Sequence, residues 1–332
     1  MEEEVFEGVN IKVVGVGGGG CNTVNRLTPL LKGVETIALN TDAKHLSITN
    51  ATTRLLIGKS ITRGLGAGGF PEIGLKAAEE SRDEIRKSLE GSHIVVLTAG
   101  MGGGTGTGAA PVVARLAKEQ GALVLSFVTY PFSLERSRTK KADWGLSLLV
   151  AESDATVVVE NDKLVEWAKN LPVEKAFFLA DKVVGDAIKA IVETIKYPSL
   201  INLDYADLRT VMERSGTALL AIGTGKGPNR IENAVKEVLN NPLLEADITG
   251  ATGALIHIEG GEKMTIGEAT TLAERVTDGM SDKGNVIFGA RLSNNVAPDE
   301  IIARVIITGV KAKRINIRPK EEIAESIELE KL

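Results

Sequence analysis

The sequence predicts an α/β protein with a doubly wound, mostly parallel sheet in its first half, a long central helix and a second α+β domain. Three observations lead to this fold class. Short apolar runs alternate with amphipathic segments through the first half, glycine-rich segments follow several of those runs, and one long amphipathic segment precedes four further apolar runs. Strands that alternate with helices form parallel sheets, because a parallel pair needs a crossover connection.

The apolar runs of the first half predict five buried strands, at Ile11 to Val16, Thr36 to Leu39, Ile94 to Leu97, Leu123 to Val128 and Thr156 to Val159. The amphipathic segments between them predict four helices, at Asn22 to Leu30, Pro71 to Leu89, Ala109 to Gln120 and Thr139 to Leu149.

A longer amphipathic helix is predicted from about Glu174 to Tyr197, where Pro198 ends it. Its apolar positions suit a buried connector. The second half then predicts four strands and two helices, which are the strands Ala218 to Ile222, Gly253 to Ile258, Asn285 to Leu292 and Ile302 to Val310, and the helices Arg230 to Leu239 and Ile266 to Met280. We therefore expect a first domain over 1–173, a central helix and loop over 174–207, a second domain over 208–317 and a charged tail over 318–332.

Composition excludes several classes of protein. The net charge of -5 and the absence of a basic block argue against nucleic-acid binding. A single cysteine, Cys21, excludes an intrachain disulfide and is typical of a reducing cytoplasm. The acidic N-terminus is not a signal peptide, and no apolar run approaches the roughly 18 residues that would cross a bilayer. We expect a cytoplasmic protein that does not insert into membranes.

The segment Gly102 to Gly108 carries the strongest functional signal. Five glycines in seven residues, between a predicted strand and a predicted helix, let backbone N–H groups converge on an anion at a helix N-terminus. The threonines Thr105 and Thr107 can add hydroxyl donors. The segment is not a Walker A loop, since no Gly-Lys-Ser or Gly-Lys-Thr closes it. A flexible linker is the alternative, but linkers seldom join a buried strand to a helix.

Five loops well separated in sequence follow predicted strands or precede a helix. Ligands of doubly wound sheets bind at the carboxyl ends of the strands. We therefore expect one crevice, formed by Gly15 to Gly20, Asn40 to Asp42, Gly64 to Gly69, Gly102 to Gly108 and Pro131 to Glu135.

A dinucleotide-binding fold is an alternative interpretation of the first loop. Residues Gly15 to Gly20 satisfy G-x-G-x-x-G, and Asp42 follows at a distance suited to a ribose contact. Two features argue against an NAD-dependent oxidoreductase. Such an enzyme does not need a second glycine-rich cradle. None of the three histidines, His45, His93 and His257, has an evident catalytic setting.

Two carboxylates, Asp204 and Asp207, lie three residues apart between the two predicted domains. Such a pair can orient and polarise a water for attack on phosphorus. Alternatively, Asp204 caps a helix that begins near Tyr205 and Asp207 lies in its first turn. The two interpretations are compatible.

The long helix carries a candidate base-recognition pair. The Asp181 carboxylate can accept from the N1–H and exocyclic amine of guanine, a donor pair that adenine lacks, and Phe177 can pack on the ring. A solvated Asp181 and a core Phe177 are the alternative. Cys21 is interpreted as a packing residue rather than a nucleophile, because nothing nearby lowers a thiol pKa.

Eight motifs, spread in order over about residues 8 to 316, closely resemble the FtsZ family of prokaryotic tubulin relatives. They are GVGGGGCNTVNRL from Gly15, NTDAKHL from Asn40, GLGAGGFPEIG from Gly64, GGGTGTG from Gly102, PFSLE from Pro131, NDKL from Asn161, NLDYADLRTVM from Asn202 and NPLLE from Asn241. The resemblance implies a GTPase that assembles head to tail into filaments, with each nucleotide covered by the Asn202-to-Asp207 loop of the next subunit. A slowly hydrolysing structural paralogue for cell shape remains an alternative.

The resemblance also implies the role of each site residue. Asp204 and Asp207 would activate the attacking water, with Asn202 supporting their loop. The α- and β-phosphates of GTP or GDP would contact the two glycine-rich segments, that is, Gly17, Gly18, Gly19, Gly20, Cys21, Asn22, Gly102, Gly103, Gly104, Thr105, Gly106, Thr107 and Gly108. The γ-phosphate and Mg²⁺ region would be lined by Asn40, Asp42, Ala67, Gly68 and Gly69. The ribose would be bordered by Pro131, Glu135 and Arg138, and guanine would be recognised by Asn161, Phe177 and Asp181. No protein residue is assigned as a metal ligand, because Mg²⁺ is held mostly by phosphates and water.

The chain departs from the family pattern at four places. Phe70 replaces a frequent Asn, Arg136 replaces a common Gly and Glu160 replaces a usual Pro. The final segment does not resemble the short apolar peptide that docks membrane adaptors in bacterial members. Either this branch, an archaeal one in our interpretation, tethers differently, or it does not form the main division ring. The expected partners are other copies of the chain and a membrane-tethering adaptor, at midcell or the division site.

Overall fold

The computed structural model describes residues 8–163, 173–196, 200–201, 205–213, 215–241, 248–281 and 283–310. The strands are β1 (Ile11–Val16), β2 (Glu35–Asn40), β3 (Thr53–Leu56), β4 (Ile94–Gly100), β5 (Leu123–Tyr130), β6 (Ala155–Glu160), β7 (Gly216–Lys226), β8 (Gly253–Gly260), β9 (Asn285–Leu292) and β10 (Glu300–Thr308).

The α-helices of the described residues alternate with these strands. They are α1 (Gly17–Leu27), α2 (Ala43–Ile48), α3 (Lys59–Thr62), α4 (Pro71–Glu80), α5 (Arg82–Leu89), α6 (Thr105–Glu119), α7 (Arg136–Glu152), α8 (Val173–Lys196), α9 (Tyr205–Met212), α10 (Arg230–Leu239) and α11 (Ile266–Thr277).

One sheet of ten strands, in the order β3-β2-β1-β4-β5-β6-β7-β10-β8-β9, forms the centre of the molecule. Neighbours from β3 to β7 are parallel, β10 is antiparallel to both β7 and β8, and β9 is parallel to β8. The mostly parallel α/β fold is therefore confirmed. The sheet continues past the expected boundary at residue 208, because residues 155–157 of β6 pair with 216–218 of β7. The division into domains stays a prediction.

Helix α8 is the long central connector that the sequence predicts. Its Val184, Ile188 and Ile191 are buried in one apolar cluster together with Phe127 of β5 and Leu220 of β7. The helix therefore packs on strands from both halves of the chain.

Three sequence predictions differ from the structure. The single helix expected over Pro71 to Leu89 is two helices, because the backbone leaves helical geometry at Ser81, whose hydroxyl accepts from the Gly58 N–H. Helix α1 begins at Gly17 rather than near Asn22, and α6 begins at Thr105 rather than at Ala109. Glycine disfavours helix in isolation, but here close packing outweighs that preference.

Helices α4 and α6 approach to backbone contact. A Cβ atom on Gly108 would lie 1.9 Å from the carbonyl oxygen of Pro71, and one on Gly74 would lie 2.4 Å from that of Gly104. Only glycine fits at these two positions. This contact fixes α4 against the first turn of α6, directly below the glycine-rich loop.

A cluster of buried charges joins α8 to the second-half strands. The Arg291 guanidinium lies 3.3 Å from the Glu193 carboxylate of α8 and 3.2 Å from that of Glu259, and Arg304 lies 3.1 Å from Glu259. Burial raises the pKa of Glu259, but a hydrogen bond from Ser293 and the two guanidinium groups outweigh it and lower the pKa to about 2.

We expect Gly108→Ala to destabilise the fold by about 1–3 kcal/mol, because its methyl group overlaps the α4 backbone. Gly267→Ala is the matched control, since Gly267 also lies near a helix N-terminus and its Cβ would meet nothing within 4 Å. The control should change stability by less than about 1 kcal/mol. Urea unfolding measures both. Equal effects from the two substitutions would contradict the backbone contact.

We expect Glu259→Gln to cost about 3 kcal/mol at pH 7, because it removes the buried carboxylate that two largely buried guanidinium groups share, although Arg291 keeps its contact with Glu193. Since folding lowers the pKa of Glu259 from 4.5 to about 2, its contribution is complete above pH 4.5 and is lost as the pH falls towards 2. The stability difference between wild type and variant should therefore shrink over that window in urea titrations. Glu262→Gln, at an exposed neighbour, should have little effect, and a pH-independent difference for Glu259→Gln would contradict this account.

Candidate functional site

Two helix N-termini meet at the carboxyl edge of the sheet. Helix α1 follows β1 and α6 follows β4, and these strands are adjacent. A Cβ atom on Gly17 would lie 2.6 Å from the Gly106 nitrogen, and one on Gly19 would lie 3.1 Å from the Gly100 nitrogen. The first turn of α1 therefore lies against the backbone of the first turn of α6 and of the end of β4. The N–H groups and positive dipole ends of the two helices face one region, which suits an anion.

The expected glycine loop is shorter than the sequence suggests, because Thr105 to Gly108 already lie in α6. Its two threonines bind other parts of the protein. The Thr107 hydroxyl accepts from the Gly102 N–H at 2.8 Å, and the Thr105 hydroxyl lies 2.7 Å from that of Thr41. These contacts hold the cradle in shape and attach it to the loop after β2.

His45 connects the polar residues of the loop after β2 to a polar residue of α1. The Asn40 side-chain N–H donates to His45 Nδ1 at 3.0 Å, so the proton on Nε2 donates to the Asn22 oxygen at 3.0 Å. Asp42 caps α2 by accepting from the His45 backbone N–H at 3.0 Å. Reasoning from the sequence did not assign His45 to the site. Its position three residues after Asp42, which caps α2, is the signal that could have indicated this role.

Two segments flank the glycine loop. A Cβ atom on Gly104 would lie 2.8 Å from the Ala67 Cβ, whereas one on Gly102 would lie 2.9 Å from the Arg138 carbonyl oxygen and 3.2 Å from Pro131. Ala67 to Gly69 therefore lie on one side, and Pro131 and the start of α7 lie on the other. On that second side, the Glu135 carboxylate accepts from the Arg138 guanidinium at 2.7 Å.

Asn161 directly follows β6 and is buried, and its side-chain oxygen has no hydrogen-bond partner among the described residues. An unpaired buried acceptor is costly unless a ligand supplies a donor. Guanine carries such donors. The glycine cradle and this acceptor together fit a guanine nucleotide. The side chains of Phe177 and Asp181 lie outside the described residues.

Cys21 lies within α1 with its side chain completely buried. Burial raises the pKa of its thiol to about 12, and the sulfur lies 3.6 Å from the Leu39 carbonyl oxygen. These facts confirm a packing role for the side chain. The part of the chain that the structure describes holds no group of three or more His, Cys, Asp or Glu residues suited to a metal ion.

The described residues on either side of the predicted carboxylate loop contact other parts of the sheet than the cradle does. Asn202 and Asp204 fall outside the described residues, but Leu200 donates to Ala290 of β9 at 2.7 Å, and Asp207 lies exposed in the first turn of α9. The Tyr205 hydroxyl donates to the carbonyl oxygen of His93, which immediately precedes β4.

Strand β4 therefore separates the two groups of site residues. The cradle follows its last residue, whereas Tyr205 contacts the residue before its first. Seven residues at about 3.3 Å each place His93, which the Tyr205 hydroxyl contacts, roughly 20 Å from the cradle. The first turn of α9, which holds Asp207, is therefore attached at the end of β4 far from the cradle.

Comparisons with known proteins agree with this geometry. Residues 10–169 match the GTPase domain of the Tubulin/FtsZ family, and residues 216–311 match the C-terminal domain of the FtsZ family. Cell division protein FtsZ 2 of Methanocaldococcus jannaschii is 46% identical over 328 residues, which cover 97% of this chain and 86% of that protein. Cell division protein FtsZ 1 of Pyrococcus furiosus is 48% identical over 314 residues, 94% of this chain and 83% of that protein.

Comparison of the fold indicates the same family. The solved FtsZ dimer of M. jannaschii superimposes with a TM-score of 0.88 at 42% identity and covers 94% of this chain and 95% of that one. The match of residues 10–169 to a GTPase domain also decides against an NAD-dependent oxidoreductase. The chain therefore belongs to the FtsZ family of tubulin-like GTPases, the cytoskeletal GTPases of cell division.

Proposed function

We propose that this GTPase hydrolyses GTP at a site that two subunits share. The observation that carries the proposal is the contact of Tyr205, at the start of the helix that holds Asp207, with His93, which lies roughly 20 Å from the cradle along the seven residues of β4. A second copy that stacks head to tail would bring its own carboxylate loop over the first copy's cradle. Such a contact is heterologous and does not close, so it generates filaments.

In the shared site, each subunit supplies half of the chemistry. Asp204 and Asp207 of one copy orient and polarise the attacking water, and Asn202 supports their loop. The other copy holds GTP. Neither subunit is a complete enzyme alone, so hydrolysis depends on assembly and then weakens the contact that contains the nucleotide.

The nucleotide spans the crevice from the cradle to β6. Gly17 to Asn22 and Gly102 to Gly108 hold the α- and β-phosphates, while Asn40, Asp42 and Ala67 to Gly69 face the γ-phosphate. Pro131, Glu135 and Arg138 border the ribose, and Asn161, Phe177 and Asp181 recognise guanine. Bound Mg²⁺, held mostly by phosphates and water, would neutralise charge on the transferred phosphoryl group.

The cellular setting follows from the family. We infer that the filaments act at the division site and that a separate adaptor protein tethers them to the membrane. None of the described helices is long and apolar enough to cross a bilayer. The solved M. jannaschii FtsZ is a dimer, which supports self-association.

We expect Asp204→Ala to leave GTP binding nearly intact and to abolish turnover in filaments. Mixing Asp204→Ala with Asn161→Ala, which lacks the buried acceptor that we propose recognises guanine and should stay nearly empty at limiting GTP, then tests sharing. Each head-to-tail contact combines the nucleotide pocket of one subunit with the loop of the next, so in an equal mixture about a quarter of the contacts pair an intact pocket with an intact loop, and a shared site recovers up to about a quarter of the wild-type rate. Sites contained within one chain would recover none.

The control for this experiment is Asp83→Ala, at an exposed position in the first turn of α5. It should hydrolyse GTP at the wild-type rate and restore no activity to Asn161→Ala beyond its own contribution of intact pockets and loops. Sedimentation of the mixtures checks that both chains enter the same filaments. Co-sedimentation of Asp204→Ala and Asn161→Ala with no recovery of the rate would contradict the shared site.

A further inference from the structure

Lys141 spans the glycine cradle from one flank to the other. It lies one turn after Arg138 on α7, on the side of the cradle that Gly102 contacts. Its ammonium group donates to the carbonyl oxygen of Gly69 at 2.6 Å, on the side that Gly104 contacts. The two flanks of the phosphate loop are therefore connected through this side chain.

The same ammonium group makes a second contact with the same segment. Its nitrogen lies 5.4 Å from the centre of the Phe70 ring, a distance suited to a cation–π interaction. The ring is exposed. Two contacts to consecutive residues, of different chemical kinds, distinguish this arrangement from an incidental surface lysine.

The segment that Lys141 holds is anchored at its start, where the Gly64 carbonyl oxygen accepts from Ala43 and the Gly66 N–H donates to Thr41, and Lys141 adds a contact at its end. Four of its residues are glycines with positive φ angles, at Gly64, Gly66, Gly68 and Gly69. Glycine loses the most conformational freedom on ordering, so a contact that orders this segment has a large effect on its population of conformers.

An ammonium group has three N–H donors. One N–H donates to the Gly69 carbonyl oxygen, and the contact with the Phe70 ring is not a conventional hydrogen bond. The other N–H groups can therefore donate to an anion in the crevice. Charge-assisted hydrogen bonds to phosphate oxygens are stronger than neutral ones. Loss of the terminal phosphate from a nucleoside triphosphate would remove the anion nearest to the segment.

We propose that Lys141 is a specificity-determining residue that makes the site prefer a nucleoside triphosphate over the diphosphate. It supplies a positive charge at the terminal phosphate and holds the Gly64-to-Phe70 segment against it. This inference rests on the proposed function, which assigns Ala67 to Gly69 to the γ-phosphate region. In the diphosphate state the ammonium group keeps only its contacts with Gly69 and Phe70.

The test compares three variants of the full chain. Lys141→Met keeps the length of the side chain and removes its charge, whereas Lys141→Arg keeps the charge. Lys140→Met is the matched control, because Lys140 is the exposed preceding residue on the same helix. Affinities for GDP and for a non-hydrolysable GTP analogue are measured with Mg²⁺ on protein too dilute to assemble, and thermal unfolding without nucleotide checks that each variant is folded.

We expect Lys141→Met to reduce the preference for the triphosphate about tenfold and to leave GDP affinity nearly unchanged, since one charge-assisted hydrogen bond is lost. Lys141→Arg should retain most of the preference and Lys140→Met all of it. Equal weakening of both nucleotides, or no change in either, would overturn the inference. Wild-type binding of GTP in the same assay tests the proposed function separately, so failure of one is not mistaken for failure of the other.

Discussion

The contact between the first turns of α1 and α6 is the constraint on which the rest of the structure depends. Side chains would separate these turns, because a Cβ atom on Gly17 would lie 2.6 Å from the Gly106 nitrogen. Without side chains, the N–H groups and dipoles of two helix N-termini come close enough to suit a single anion. The loops after β2 and β5 and the segment before α4 are then arranged around this pair. The glycines are therefore required for packing as well as for ligand access.

The sheet gives the molecule two chemically different ends. The cradle lies at the carboxyl ends of the parallel strands. The start of α9 lies at their amino ends, where Tyr205 contacts His93. Strand β4 runs directly from one end to the other, so in the stacked filament that we propose it would set the spacing between the cradle and the start of α9. Helix α8 and the charge cluster around Arg291 attach the second-half strands to this frame.

Much of this architecture could be predicted from the sequence, because buried parallel strands are continuous apolar runs and the glycine loops follow them. Strand β3 was missed because it lies at the sheet edge and is only partly buried. The continuity of the sheet through β6 and β7 depends on pairing between distant segments, which no local pattern encodes. His45 and Lys141 were overlooked for the same reason: their partners Asn22 and Gly69 are far away in sequence, and a single polar side chain gives no periodic signal.

The most direct test of the shared site is the rate of GTP hydrolysis per subunit as a function of protein concentration, with Mg²⁺ and with light scattering recorded in parallel. The account predicts a specific rate near zero in dilute protein that rises together with scattering above a critical concentration. A constant specific rate that persists in dilute monomer would mean that one chain contains the whole site, and would contradict the account.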